Sequence, residues 1–139
     1  MKKKFYIHIG NHKTGSTAIQ QFLNDNKELL YSSNLIYPNI GNTDLYPFNN
    51  HNIVWELSND VKFNKKENSL EKLYNLIATK NNNIIISSED FETLEFDNNK
   101  FSKFLNTIKK NNFNIKIIIY LRNQVEYFTS FYQTILLIG

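Results

Sequence analysis

The chain has 139 residues, 41% hydrophobic and 14% aromatic, with a net charge of +3, which suits one globular unit with a buried core. It contains no cysteine, so disulfides, thiolate metal sites and a cysteine nucleophile are excluded. The modest positive charge is spread along the sequence, which favours an anionic ligand and lacks the clustered basic patch of a nucleic-acid binder.

Met1-Lys2-Lys3-Lys4 is like the start of a signal peptide, but the apolar run behind it is interrupted by His8 and Asn11, and Phe5 to Ile9 is read as a first strand. No stretch approaches the about 20 apolar residues that span a bilayer. A cytoplasmic protein without a membrane span is expected. Gly10 and a polar loop end the strand. From Thr17 the residues Ile19, Phe22, Leu23 and Leu30 recur at helical spacing, with Gln20, Gln21, Asn24 and Asp25 on the opposite face and Ser16 or Thr17 as cap. Residues 32–52 hold both prolines, Pro38 and Pro47, and Gly41. They predict a long loop, a type of segment that is commonly functional.

A short helix is predicted around Ile53 to Leu57, and another carries Leu70, Leu73, Tyr74 and Ile77. Ile84-Ile85-Ile86 is a buried strand leading into "SSEDFETL", and Phe101, Phe104, Leu105 and Ile108 mark a helix from about Lys100 to Lys110. Ile115 to Leu121 is the strongest strand, a continuous apolar and β-branched run of the kind found in central parallel strands. Val125, Phe128, Thr129 and Tyr132 then repeat at helical spacing. This alternation predicts an α/β fold with a central parallel sheet flanked by helices, in three layers. Ligands of such sheets bind beyond the carboxyl ends of the strands, where three polar clusters fall: Gly10 to Thr17, Ser87 to Asp90, and Arg122 onward.

In the first cluster, "FYIHIGNHKTGSTAIQQFL" places a glycine loop between strand and helix, so that backbone N–H groups of Thr14 to Thr17 and the positive helix end face an anion. The usual nucleotide loop, G-x-x-x-x-G-K-[ST], has its lysine directly after the second glycine. Here Lys13 precedes Gly15. An ordinary strand-to-helix turn with a solvated lysine is the alternative. Arg122 is the only arginine in the chain and follows the best strand. Its planar fork suits phosphate as lysine does not. Ser130 lies roughly two helical turns further on; a strand-end ion pair and a plain helix serine are the alternative.

"HIGNHKTGSTAIQQFL" resembles the 5′-phosphosulfate loop of sulfotransferases that use 3′-phosphoadenosine 5′-phosphosulfate (PAPS), and "IIIYLRNQVEYFTSFYQ" resembles their 3′-phosphate segment. The resemblance implies a P-loop-like fold and transfer of a sulfuryl group to a hydroxyl or amine of a carbohydrate or small molecule, without a metal. It also implies the roles of individual residues. Lys13 would touch the 5′-phosphate and the bridging oxygen; Thr14, Gly15, Ser16 and Thr17 would hold the 5′-phosphate, with His12 beside them; Arg122 and Ser130 would hold the 3′-phosphate. Glu89 stands where the family places its base. As a plain reading, Glu89, Asp90 and Glu92 would instead favour a helix start capped by Ser87 or Ser88. Asp90 and His51 are the other candidates for the base.

In this family a further segment completes the nucleotide site, so the sequence is expected to be the N-terminal part of such a domain, truncated at its C-terminus. Its apolar end, "YQTILLIG", is expected to promote self-association. A P-loop nucleotide kinase and a truncated, non-catalytic nucleotide-binding module are the rival readings.

Overall fold

The computed structural model describes residues 2–10, 14–94 and 99–138, without the side chains of 131, 134, 135, 137 and 138. In chain order the elements are β1 (Lys3–His8), α1 (Ser16–Asp25), α2 (Lys27–Ser32), β2 (Leu35–Ile36), α3 (His51–Ser58), α4 (Ser69–Thr79), β3 (Asn83–Ser87), α5 (Asn99–Lys110), β4 (Phe113–Ile118) and α6 (Gln124–Ile138). The four strands form one sheet in the order β2-β3-β1-β4, and every pairing is parallel. The fold is therefore α/β with a parallel sheet flanked by helices.

The period-two alternation of the strands decides which helix packs where. Phe5 and Ile7 of β1, Ile84 and Ile86 of β3, and Phe113 of β4 turn to one face, where Leu57, Leu73, Ile77, Phe104 and Ile108 from α3, α4 and α5 bury them. Burying each such side chain contributes about 1.5–3 kcal/mol. Phe5 sits edge-on to both Phe104 and Phe113, with centroids 6.2 and 5.9 Å away. On the other face Ile85 packs with Leu23 of α1 and with Tyr37, and Tyr6, Ile19 and Ile118 adjoin them.

Two expectations change. The run Ile115 to Leu121 is not a central strand: β4 comprises Phe113–Ile118 and lies at the edge of the described sheet. β1 takes the central place because it pairs on both sides, and Ile117 of β4 stays 54% exposed. The helix after the loop is also shorter than its periodicity suggests. It breaks at Asn26, whose backbone N–H and side-chain Nδ2 both reach the Phe22 carbonyl, at 3.1 and 2.8 Å, and the chain restarts as α2.

Candidate functional site

The site is built where three strands end together. His8, the last residue of β1, stands level with Ser87 of β3 and Ile118 of β4. The ladder runs one step further on each side, with Ser88 N–H donating to the His8 carbonyl (3.1 Å) and Ile9 N–H to the Ile118 carbonyl (3.0 Å). The three connections that follow these strands therefore leave the sheet side by side at its carboxyl edge, as the sequence reading expects.

The loop after β1 turns at Gly10, where φ is +34° and a Cβ would stand 3.3 Å from Ser16 Oγ. Glycine lets the backbone at residue 10 come close to the first residue of α1. Gly15 is the N-cap, left-handed at φ 86°, and as a glycine makes no side-chain cap bond; this corrects the expectation of a Ser16 or Thr17 cap. A Cβ at Gly15 would meet no described residue within 4 Å. Helix starts carry N–H groups without intrahelical partners, and here Ala18 and Ile19 N–H make the first bonds, both to the Gly15 carbonyl. Ser16 is buried, Thr14 half-buried and Thr17 exposed. His12 and Lys13 lie outside the described residues.

At the end of β3, Ser87 and Ser88 are fully buried, and each holds a histidine. His8 Nδ1 is 2.7 Å from Ser87 Oγ, and His51 Nδ1, from the first residue of α3, is 2.6 Å from Ser88 Oγ. Asn50 locks α3 to this point by exchanging bonds with Ser87: its N–H donates to the Ser87 carbonyl (2.9 Å) and its Oδ1 accepts from Ser87 N–H (2.8 Å). Ser88 also caps the short turn Glu89–Thr93, accepting from Asp90 N–H at 3.2 Å. The capping role foreseen for this serine is thus present.

Glu89 nevertheless turns toward the loop side. Its Oε2 accepts from Gln20 Nε2 of α1 at 2.9 Å, and its Oε1 lies 3.9 Å from His51 Nε2. Its charge is felt nearby. Burial pushes the His8 imidazole below its usual value, with Glu89 pulling the other way, and burial, reinforced by Glu89, pushes the Tyr37 phenol far up. Asp90 is committed elsewhere, accepting from Trp55 Nε1 at 2.6 Å, and its Oδ2 lies 3.9 Å from His51 Nδ1. Of the two carboxylates, Glu89 is the one bonded to α1, the helix that follows the glycine loop.

Arg122 leaves the end of the β4 run. Its Nε is 3.2 Å from Glu126 Oε2, one helical turn on, and its side chain is 39% exposed. Asn123 starts α6 by accepting from Val125 N–H through its side chain and from Tyr127 N–H through its carbonyl. Ser130 sits half-buried on that helix.

Sequence reading assigned Gln20 to the solvated face of its helix, yet it is 2% exposed because its amide reaches Glu89. The signal was its position one turn beyond Ser16, on the side the loop faces. Tyr46 and Trp55, which carry no signal in the sequence, enclose His51 with their rings at 5.1 and 5.6 Å. His51, taken as a possible lining residue, is 3% exposed and forms the wall behind the surface. Comparison with protein-family profiles, with curated proteins and with solved structures finds no match, so the chemistry has to be argued from these residues.

Proposed function

We propose that the chain binds PAPS across the carboxyl edge of a P-loop-like sheet and moves its sulfuryl group to a hydroxyl or amine of an acceptor held beside Glu89. The observation that carries this reading is the convergence of three strand ends, which brings a glycine loop, a carboxylate and the arginine-bearing connection to one edge. An anion suits the loop: the N-cap is a glycine, without a capping side chain of its own, and a Cβ there would meet no described residue within 4 Å. The positive end of α1 and its first N–H groups favour negative charge there.

In this reading Thr14, Gly15, Ser16 and Thr17 hold the 5′-phosphate, with His12 and Lys13 beside them, and Arg122 and Ser130 hold the 3′-phosphate. The acceptor oxygen attacks sulfur, the bond from sulfur to the 5′-phosphate oxygen breaks, and Glu89 takes the acceptor's proton. Negative charge grows on the departing phosphate oxygen, where Lys13 and the helix start oppose it. Gln20 holds one carboxylate oxygen of Glu89, leaving the other to meet the acceptor.

Calorimetric titration with 3′,5′-adenosine bisphosphate, the desulfated product, against ATP with and without magnesium tests this. Metal-independent preference for the 3′-phosphorylated nucleotide is expected. Magnesium-dependent preference for ATP would replace this reading with a kinase, and silence toward both nucleotides would refute nucleotide binding by the chain.

A further inference from the structure

The fold gathers lysines that are scattered in the sequence. Every strand pairing is parallel, so the strands all start at one edge, and α4 and α5, which run back to feed β3 and β4, end there too. Residues 2–4, 80–83 and 109–114 are thereby brought together. They hold Lys2, Lys3, Lys4, Lys80, Lys109 and Lys110 and no carboxylate. Six of the chain's 16 lysine and arginine residues thus stand at the amino edge, and the rest are outnumbered by its 13 acidic residues. We infer that this edge is a docking surface for an anionic lipid bilayer.

Contacts across the edge fix the cluster. Lys3 is level with Phe113, holds its ammonium 4.2 Å from that ring's centroid and donates to the Lys80 carbonyl at 3.0 Å. Lys4 N–H donates to Asn83 Oδ1 at 2.8 Å. Lys3 is half-buried by its contacts, and the other five lysines are exposed. None of the six forms an ion pair among the described residues. The junction of α1 and α2 turns Asp25 and Glu28 toward the same end, but Lys27 stands between them in sequence. Lys80 closes α4, and Lys109 and Lys110 lie in the last turn of α5, where they oppose the negative helix ends. Two such ends amount to about one unit of charge, so most of the positive charge is left for a partner.

The make-up of the edge selects a bilayer over a nucleic acid. All six cations are lysines, point charges that suit a fluid layer of headgroups, whereas the planar fork of arginine suits phosphates at fixed positions. Strands and helices reach this edge end-on, so no element lies along it that could enter a groove. Phe113, the only aromatic residue in the three segments, is 3% exposed and offers no ring for base stacking. Strands of six residues put the carboxyl edge about 20 Å away, so a chain docked by its lysines turns the glycine loop and Glu89 toward water. The inference does not depend on what those residues bind.

Co-sedimentation with vesicles of phosphatidylcholine containing phosphatidylserine, against vesicles of phosphatidylcholine alone, is the test. Binding to the anionic vesicles only is expected. It should fall steeply between about 0.1 and 1 M salt, where the screening length shortens from about 10 to 3 Å. Lys109→Gln with Lys110→Gln, and separately Lys2→Gln with Lys4→Gln, should each weaken binding about tenfold or more. Lys65→Gln with Lys66→Gln makes the same change of charge at exposed positions just before α4, near the opposite edge, and should leave binding within about twofold. Failure to bind anionic vesicles, or equal loss in all three double variants, would overturn the inference. Equal binding to neutral vesicles would overturn it in favour of the apolar face of α6, and tighter binding to duplex DNA at equal phosphate concentration would overturn it in favour of a nucleic acid.

Discussion

Replacing Asn50 with alanine should cost far more than its single side chain suggests. Asn50 is 1% exposed; its Nδ2 donates to the Pro38 and Ile40 carbonyls and its Oδ1 accepts from Ser87 N–H. Alanine removes all three bonds, a loss of about 3 kcal/mol at roughly 1 kcal/mol each. Ser87 is fully buried, and leaving its N–H without an acceptor adds up to about 2 kcal/mol. A total of about 3–5 kcal/mol is a large part of the about 5–15 kcal/mol that holds a typical domain together. Asn50→Asp keeps the acceptor for Ser87 but turns a carboxylate toward two carbonyl oxygens, and should lose at least as much. Urea denaturation followed by Trp55 fluorescence measures both. A loss below about 1 kcal/mol in Asn50→Ala would show that these bonds do not hold the loop to the strand.

Glu89→Gln preserves size and the contact with Gln20 but removes the proton acceptor; sulfuryl transfer should fall about 10²–10⁴-fold with nucleotide affinity unchanged, as read by turnover and calorimetry together. His8 makes stability depend on pH. Because burial lowers its pKa in the folded chain below the 6.5 of the free side chain, the unfolded chain binds the extra proton; stability is fully present above that value and declines as pH falls through it toward the folded pKa. Urea midpoints measured between about pH 5 and 8 should slope less in His8→Asn, and identical slopes would remove His8 from the account. Finally, α6 exposes Val125, Phe128, Tyr132 and Leu136 at 61–75%, so concentration-dependent association is expected in sedimentation velocity, reduced by Phe128→Lys with Leu136→Lys.

Periodicity made most elements legible, because β-branched runs and helical spacing report burial directly. It misjudged β4, since an apolar run shows that a strand is hydrophobic without showing how many neighbours it has. β2, only two residues long, has too little pattern to be seen at all. The glycine loop, Glu89 and Arg122 were readable from their places after strands. Gln20, Tyr46 and Trp55 were not, because their roles depend on contacts across long separations: Gln20 meets a carboxylate 69 positions away and Trp55 one 35 positions away.

The central position of β1 also orders events during synthesis. β1 leaves the ribosome before the strands it pairs with, which begin at Asn83 and Phe113, and Lys3 pairs with Phe113 itself. At about 5–20 residues per second, the outer edge of β1 waits on the order of 5–20 s for β4. Throughout that interval Phe5 and Ile7, which end with no exposed surface, have no completed sheet to enter. Pairings this distant close slowly, and until they do β1 is an apolar segment open to a chaperone.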